Sequence, residues 1–519
     1  MARDAVVGPP DLDARSAARI FWITALAYGG LTALLPPLCF PTFRSDVLEQ
    51  IIVGREWVLG TAKHPALTTW IMQVFWTGLG GSRFAPSVAA SACATVTMWA
   101  VWRLGREYVS ERAALLGSLG LTAYWYTNVG GAAMYNNNVT LIMFWHLAIL
   151  SAHHALKTNT AWLWIQTGLL LAASLMCKYT AVVLGMSIGL FMLLDADARR
   201  RLRTAGPWLA AAVVVALVTP HIVSMRATFG GVAAYVETKR STDALPAFCL
   251  RLGRDWLLQG LVASSFLLIL GPVVGRRPRL APREAGQAPA ASFLAAMFLL
   301  PIVVQTVVQV VFRVPFVHRS YGAHLWVLTG LCGLSQLAVT NDPRRWRAAC
   351  LVTAAVAAVL LASLPISTAA AYRLATGVNA RFYPGRELAA EIDAVWSREA
   401  SGPCRYLASR EGDPYPGWAA GAYSRHQPHV IDTALGRWAG DAEMNRDGGV
   451  VVWAWRGAEE RAELPADIGA RFPRARLAEN VDLSYRMIHP AAPQVRFGVA
   501  VVPARGPTRL AAEPAGVIR

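Results

Sequence analysis

Residues 40–70 read FPTFRSDVLEQIIVGREWVLGTAKHPALTTW and follow the first long apolar run of the chain. Within this interval stand Asp46, Glu49, Arg55, Lys63 and His64, in a protein of which only 16% is charged. Charge beside a bilayer span is costly, and its usual reason is function. The meaning of the interval therefore depends on whether its neighbours cross a membrane.

Composition says that they do. The 519 residues are 55% hydrophobic with a mean hydropathy of +0.38, whereas a soluble chain carries about a quarter charged residues. Runs of spanning length occur at roughly 17–39, 84–104, 112–130, 139–156, 161–178, 180–194, 207–224, 256–274, 291–312, 322–339 and 348–370. This predicts an α-helical polytopic membrane protein of about eleven helices. The shorter piece at 65–80, closed by Gly78 and Gly80, reads as an interfacial helix in the first outer loop. The first 20 residues are polar and mixed in charge, unlike a cleavable signal.

The formal charge is +17 and the isoelectric point near 10.0. The arginines are scattered between apolar runs with no basic tail or stripe, which argues against a nucleic-acid partner and for loops that touch anionic lipid headgroups. Alternate loops hold them: Arg103, Arg106 and Arg112; Arg199, Arg200, Arg201 and Arg203; Arg276, Arg277, Arg279 and Arg283; Arg344, Arg345 and Arg347. The positive-inside rule then predicts a cytoplasmic amino terminus and places the opening interval on the outer face. The seven cysteines show no CxxC or Cys/His spacing, so no metal site is signalled.

Beyond about residue 371 the composition becomes that of a globular protein. A helical pattern in GRELAAEIDAVWSREA, β-like runs in CRYLAS, PHVIDT, GGVVVWAW and FGVAVVPA, and a helical GAEERAELPADIGARF predict a small α/β extracytoplasmic domain. The division expected is 1–370 for the transmembrane domain and 371–519 for the extracytoplasmic one.

Four clusters carry chemistry. Asp46 is either a general base or the N-cap of the helix that begins at SDVLEQ. Tyr135, Asn136, Asn137 and Asn138 open a span, where amides bond either sugar hydroxyls or helix ends. Lys178, in CKYT between two apolar runs, either snorkels to headgroups or pairs with an anion. The stretch FRVPFVHRSYGAHLW groups Arg313, His318, Arg319, Tyr321 and His324, and a guanidinium fork suits a phosphate.

The segment from Asp46 resembles the first outer loop of the polyprenyl-phosphate-sugar glycosyltransferases of the GT-C class, which include the protein mannosyltransferases and aminoarabinose transferases. It is most similar to the lipopolysaccharide-core galacturonosyltransferase branch (glycosyltransferase family 39/83-like). That branch reads Asp-Glu-Ala-Glu-Gln, then a Lys/His/Gln-Pro-Pro-Leu turn. Asp46, Glu49, Gln50, His64, Pro65 and Leu67 match; Val47 replaces an acid and Ala66 a proline. The run CKYTAV resembles the family's Ser-Lys-Tyr-Thr-Ala-Val.

The resemblance implies a GT-C fold and an inverting membrane glycosyltransferase. It implies Asp46 as catalytic base, with His64, Lys178 and Arg319 on the donor phosphate. Glu49, Tyr135, Asn136, Asn137 and Asn138 would face sugar or acceptor. With the second acid missing at Val47, a metal-independent site without cofactor is expected. The expected partners are a polyprenyl-phosphate-sugar donor, membrane lipids and an envelope glycan, lipid or protein acceptor. The expected place is a bacterial cytoplasmic membrane. The rivals are a secondary transporter or lipid flippase, whose charges belong near mid-membrane in inverted repeats, and a catalytically silent homologue.

Overall fold

Backbone polar groups inside a bilayer must be satisfied within their own segment, so long apolar runs become helices. A computed structural model describes residues 12–61, 63–124, 131, 133–229, 237, 239–274, 288–315, 322–336, 343–374, 382–432, 440–455, 463–485 and 492–505. Its helices are α1 (Ala14–Cys39), α2 (Ser45–Gly54), α3 (Leu67–Gly78), α4 (Ala85–Gly105), α5 (Glu111–Leu119), α6 (Asn137–Thr158), α7 (Ala161–Cys177), α8 (Val182–Leu194) and α9 (Ala196–Arg201). There follow α10 (Ala205–Phe229), α11 (Leu245–Val274), α12 (Ala288–Phe312), α13 (Thr329–Gln336), α14 (Pro343–Leu374), α15 (Gly385–Glu399), α16 (Tyr415–Tyr423), α17 (Asp441–Asp447) and α18 (Ala466–Arg471). Each apolar run expected to span has a helix on it. Among the described residues five helices are long and apolar enough to cross a membrane: α1, α6 and residues 205–226, 293–312 and 344–373.

The described residues form two compact units, one of Met1–Cys39 with Leu59–Thr368, the other of Phe40–Val58 with Ala369–Arg519. In the first unit α6 packs on α4 and α7, and α7 on α10. Most of α6 is buried, whereas α1, α10 and α14 turn large apolar side chains outward, among them Leu26, Val215 and Leu351. A helix apolar all round belongs inside; one with a bare apolar face suits lipid. Helices that gain little from water exclusion need other adhesives, namely small residues and hydrogen bonds of about 0.6 kcal/mol each. The Thr32 and Ser91 hydroxyls meet at 2.8 Å between α1 and α4, and those of Ser151 and Thr167 at 2.9 Å between α6 and α7. Gly168 lets α7 and α10 touch, since a Cβ there would lie 2.6 Å from the Ala210 carbonyl oxygen.

One expectation changes in form. The apolar run read at 256–274 is only the later part of a longer helix: α11 runs unbroken from Leu245 to Val274, 30 residues. At about 1.5 Å per residue that helix exceeds the hydrocarbon thickness.

The second unit contains a five-stranded sheet in the order β2 (His429–Ile431), β1 (Tyr406–Ser409), β3 (Gly449–Ala454), β5 (Gln494–Val502), β4 (Arg476–Ser484). Strands β2, β1 and β3 are parallel, with Leu407 opposite both Val430 and Val450; β5 and β4 are antiparallel additions. The core holds Val451, Trp453, Phe472 and Ala500. Strand β4 was not foreseen in the sequence: its side chains are mostly exposed or half-buried, so it lacks an apolar run. Helix α16 lies where EGDPYPGW reads as turn.

Helix α2 belongs to this unit and packs on α16. The backbone N–H of Phe43 donates to the Tyr423 hydroxyl at 2.7 Å. The Arg55 guanidinium donates to the carbonyls of Gly421 at 2.7 Å and Ala422 at 3.0 Å, satisfying the orphan carbonyls at the end of α16. Burial lowers the Arg55 pKa to about 10, which leaves it charged. Glu56 meets His429 Nδ1 at 2.8 Å.

Candidate active site

The site in the first unit starts from a tight reversal at residues 60–65, where Gly60 and Pro65 form an isolated antiparallel bridge. Thr61 is its pivot. The Thr61 N–H donates to the His64 carbonyl at 2.8 Å, and the Thr61 hydroxyl accepts from the N–H groups of His64 at 3.1 Å and Lys63 at 3.3 Å. This fixes the backbone that carries His64 ahead of α3.

His221 braces that reversal from α10. A carbonyl oxygen can only accept, so the 2.8 Å contact between His221 Nδ1 and the Leu59 oxygen puts the proton on Nδ1. Nε2 then accepts from the Tyr179 hydroxyl at 3.1 Å. Gly60 is required here, because a Cβ would meet His221 Cε1 at 2.6 Å. Tyr179 follows Lys178, so one imidazole ties the reversal to the lysine.

Lys178 is 6% exposed and donates to Asn138 Oδ1 at 2.6 Å. Asn137 donates its amide to the Cys177 carbonyl at 2.9 Å, the end of α7, and Asn136 Oδ1 accepts from the Asn138 N–H at 3.0 Å, capping α6. Tyr135, fully buried, donates to the Thr68 carbonyl at 3.0 Å. Asn136 and Asn137 thus serve helix ends, the second of the two uses open to them, while Asn138 orients the ammonium.

The His64 imidazole is pushed down to about 3, first by burial and then by the charges of Lys178, Lys63 and Lys239. It is therefore neutral at physiological pH, beside three ammonium groups. Of the three only Lys178 is buried; taking an ammonium group out of water costs several kcal/mol, a cost that Asn138 Oδ1 offsets in part and an anion would offset further. The arrangement can hold a phosphate and stabilise charge growing on a leaving oxygen.

Lys63 stands in the opening interval but is given no role there, and Lys239 and His221 were missed in the sequence. Lys63 adjoins the matched turn, Lys239 sits in a long basic segment with nothing to single it out, and His221 reads as a lone histidine in an apolar run. Arg319, His318 and Tyr321 lie outside the described residues. Arg313 donates to the Asp243 carbonyl at 2.9 Å. His324 is 1% exposed, its ring edge-on to Trp145 at 4.4 Å.

Asp46 and Glu49 belong to the second unit. The cap of α2 is Arg44, and Asp46 is the second helical residue, exposed, so the N-cap reading of Asp46 does not hold. Glu49 is buried one turn on, at 7% exposure. Val47 is 2% exposed, an apolar core position where an acid would bury a charge.

Residues 63–223 match the family model described as dolichyl-phosphate-mannose-protein mannosyltransferase. The fold matches the crystal structure of ArnT from Cupriavidus metallidurans bound to undecaprenyl phosphate, at 12% identity and a TM-score of 0.50, over 95% of this chain and 100% of that one. The first match covers under a third of the chain, and the second is a likeness of fold. The oligosaccharyltransferase of Archaeoglobus fulgidus in complex with zinc and sulfate is similar at 11% identity over 84% of this chain and 68% of that one, TM-score 0.45. AglB from the same organism, in complex with an inhibitory peptide and a dolichol-phosphate, has 11% identity over 84% and 69%, TM-score 0.42. No curated protein sequence matches the chain. The family match begins at Lys63 and takes in His64, Asn138, Lys178 and His221.

Proposed function

We propose that the protein is an inverting glycosyltransferase that moves a sugar from a polyprenyl-phosphate carrier to a hydroxyl of an envelope glycan, lipid or protein. The convergence of His64, Lys63, Lys178 and Lys239 carries this reading. Their chemistry suits the phosphate of a lipid carrier, the ligand that the ArnT structure holds. Arg319 is assigned to the same phosphate on the sequence resemblance alone, and so are Glu49, Asn138 and their neighbours to the sugar or acceptor.

In the reaction the acceptor oxygen attacks the anomeric carbon from the face opposite the carrier. The bond from that carbon to the phosphate oxygen breaks, and the electron pair leaves on the lipid phosphate. The basic cluster stabilises the charge that develops there. Asp46, assigned from its motif, accepts the hydroxyl proton. The proposed place is the outer face of a bacterial cytoplasmic membrane, with the amino terminus cytoplasmic.

The test uses the purified full chain in detergent with a labelled polyprenyl-phosphate sugar and envelope extract. Asp46→Asn and Lys178→Met are expected to keep the folded protein and to lose transfer by about a hundredfold or more. Transfer at the parental rate in Lys178→Met would overturn the phosphate assignment; the same in Asp46→Asn would leave the base elsewhere. Mass spectrometry of envelope glycoconjugates from a deletion strain identifies the acceptor by the sugar that disappears.

A further inference from the structure

At the end of α6 opposite Asn137, a second group of ligating side chains gathers from two parts of the sequence. Glu107 lies just past α4, and His153 and His154 lie in the last turns of α6. One ligand atom from each falls within 4.8 Å of the other two. All three belong to the first unit.

His153 is the informative member. It is 8% exposed, and its buried Nε2 makes no hydrogen bond among the described residues, an arrangement that costs about 1–3 kcal/mol unless something binds it. Glu107 Oε2 stands 3.5 Å from that nitrogen. This is long for a hydrogen bond, but close to the edge of a tetrahedron with metal bonds of about 2.0–2.1 Å. The other face of the ring is already held, with Nδ1 2.7 Å from the Tyr108 hydroxyl. Metal-bound histidines are oriented in this way, through the nitrogen that does not ligate.

A cation already occupies the carboxylate. Lys157 Nζ lies 2.9 Å from the same Glu107 oxygen, and at 63% exposure its side chain is free to swing into water. The cluster opens on a cavity of about 600 Å³ that is also lined by Asp195 and Asp197. The cavity gives an ion a path of entry and leaves room for water as a fourth ligand.

We propose that Glu107, His153 and His154 form a site for a zinc-class divalent transition ion. Two imidazoles and a carboxylate suit zinc or cobalt, not magnesium or calcium, which prefer oxygen ligands alone. Binding displaces the Lys157 ammonium, and the Nδ1–H of His153 then donates to Tyr108. The ion clamps the turn after α4 to the end of α6. This site is separate from the phosphate-binding cluster and does not rest on the transferase reading.

The test uses the full-length protein without a histidine tag, in detergent and stripped with chelator. Cobalt is titrated while the visible bands of tetrahedral cobalt are followed. One equivalent is expected to bind, to be displaced by zinc, and to raise the unfolding temperature. Glu107→Gln and His154→Ala, both at partly exposed positions, are expected to weaken binding at least about tenfold, and Tyr108→Phe by about ten- to a hundredfold. Lys157→Met is expected to tighten it, because a competing charge is removed. The proposal is overturned by the absence of tetrahedral bands, by unchanged affinity in both Glu107→Gln and His154→Ala, or by lost binding in Lys157→Met.

Discussion

His64 shows how single residues acquire their properties from what surrounds them. The sequence offers only a histidine before a proline; the structure adds burial and three lysine charges that push its pKa to about 3. Because the unfolded imidazole takes a proton near pH 6.5 and the folded one near 3, the unfolded chain binds more protons between those values. Stability is therefore expected to fall as pH drops from about 6.5 towards 3, and His64→Gln to flatten that slope, as measured by thermal unfolding. His221 acts at the same scale. His221→Phe leaves the Leu59 carbonyl and the Tyr179 hydroxyl without this partner, at about 1–3 kcal/mol for each group. The expected outcome is a lower unfolding temperature and weaker donor binding, with transfer by the bound complex less affected than KM.

At the scale of elements, the surprise is the grouping of Phe40–Val58 with the C-terminal sheet. Helix α2 is legible from its amphipathic sequence, but nothing local says that it docks on α16. Arg55 holds two carbonyls there, and charged hydrogen bonds of this kind contribute about 1.5–3 kcal/mol. Arg55→Met is thus expected to raise hydrogen exchange across Ser45–Gly54 while leaving the sheet protected. The contact of His429 with Glu56 raises the His429 pKa, against the opposing effect of burial. A raised folded pKa means that this contact contributes in full below about 6.5 and fades as pH climbs through the higher folded value. The protection of α2, meaning its exchange relative to the intrinsic rate at each pH, is expected to fall between mildly acidic and mildly alkaline pH, and His429→Gln to remove that dependence. Equal protection at both pH values in the parent protein would contradict it.

For the whole molecule, a ligand that binds only the folded state stabilises it by mass action. Undecaprenyl phosphate at a hundred times its Kd is expected to add about 2.7 kcal/mol, read as a shift in unfolding temperature that Lys178→Met abolishes. The sequence by itself determined the helical segments, the change of character near residue 371, and most of the parallel strands. Hydropathy over 20 residues and alternation over five are local signals, and the bilayer leaves the backbone few alternatives. It also marked His64 and Lys178, because both sit in recognisable motifs. Only the tertiary structure decided which distant groups meet. His429 and Glu56 are 373 positions apart, His221 and Leu59 are 162 apart, and Tyr108 reaches His153 across 45. Such pairs leave no period in the chain. They exist because helix packing brings their side chains to a shared depth, where a buried polar group must find a partner.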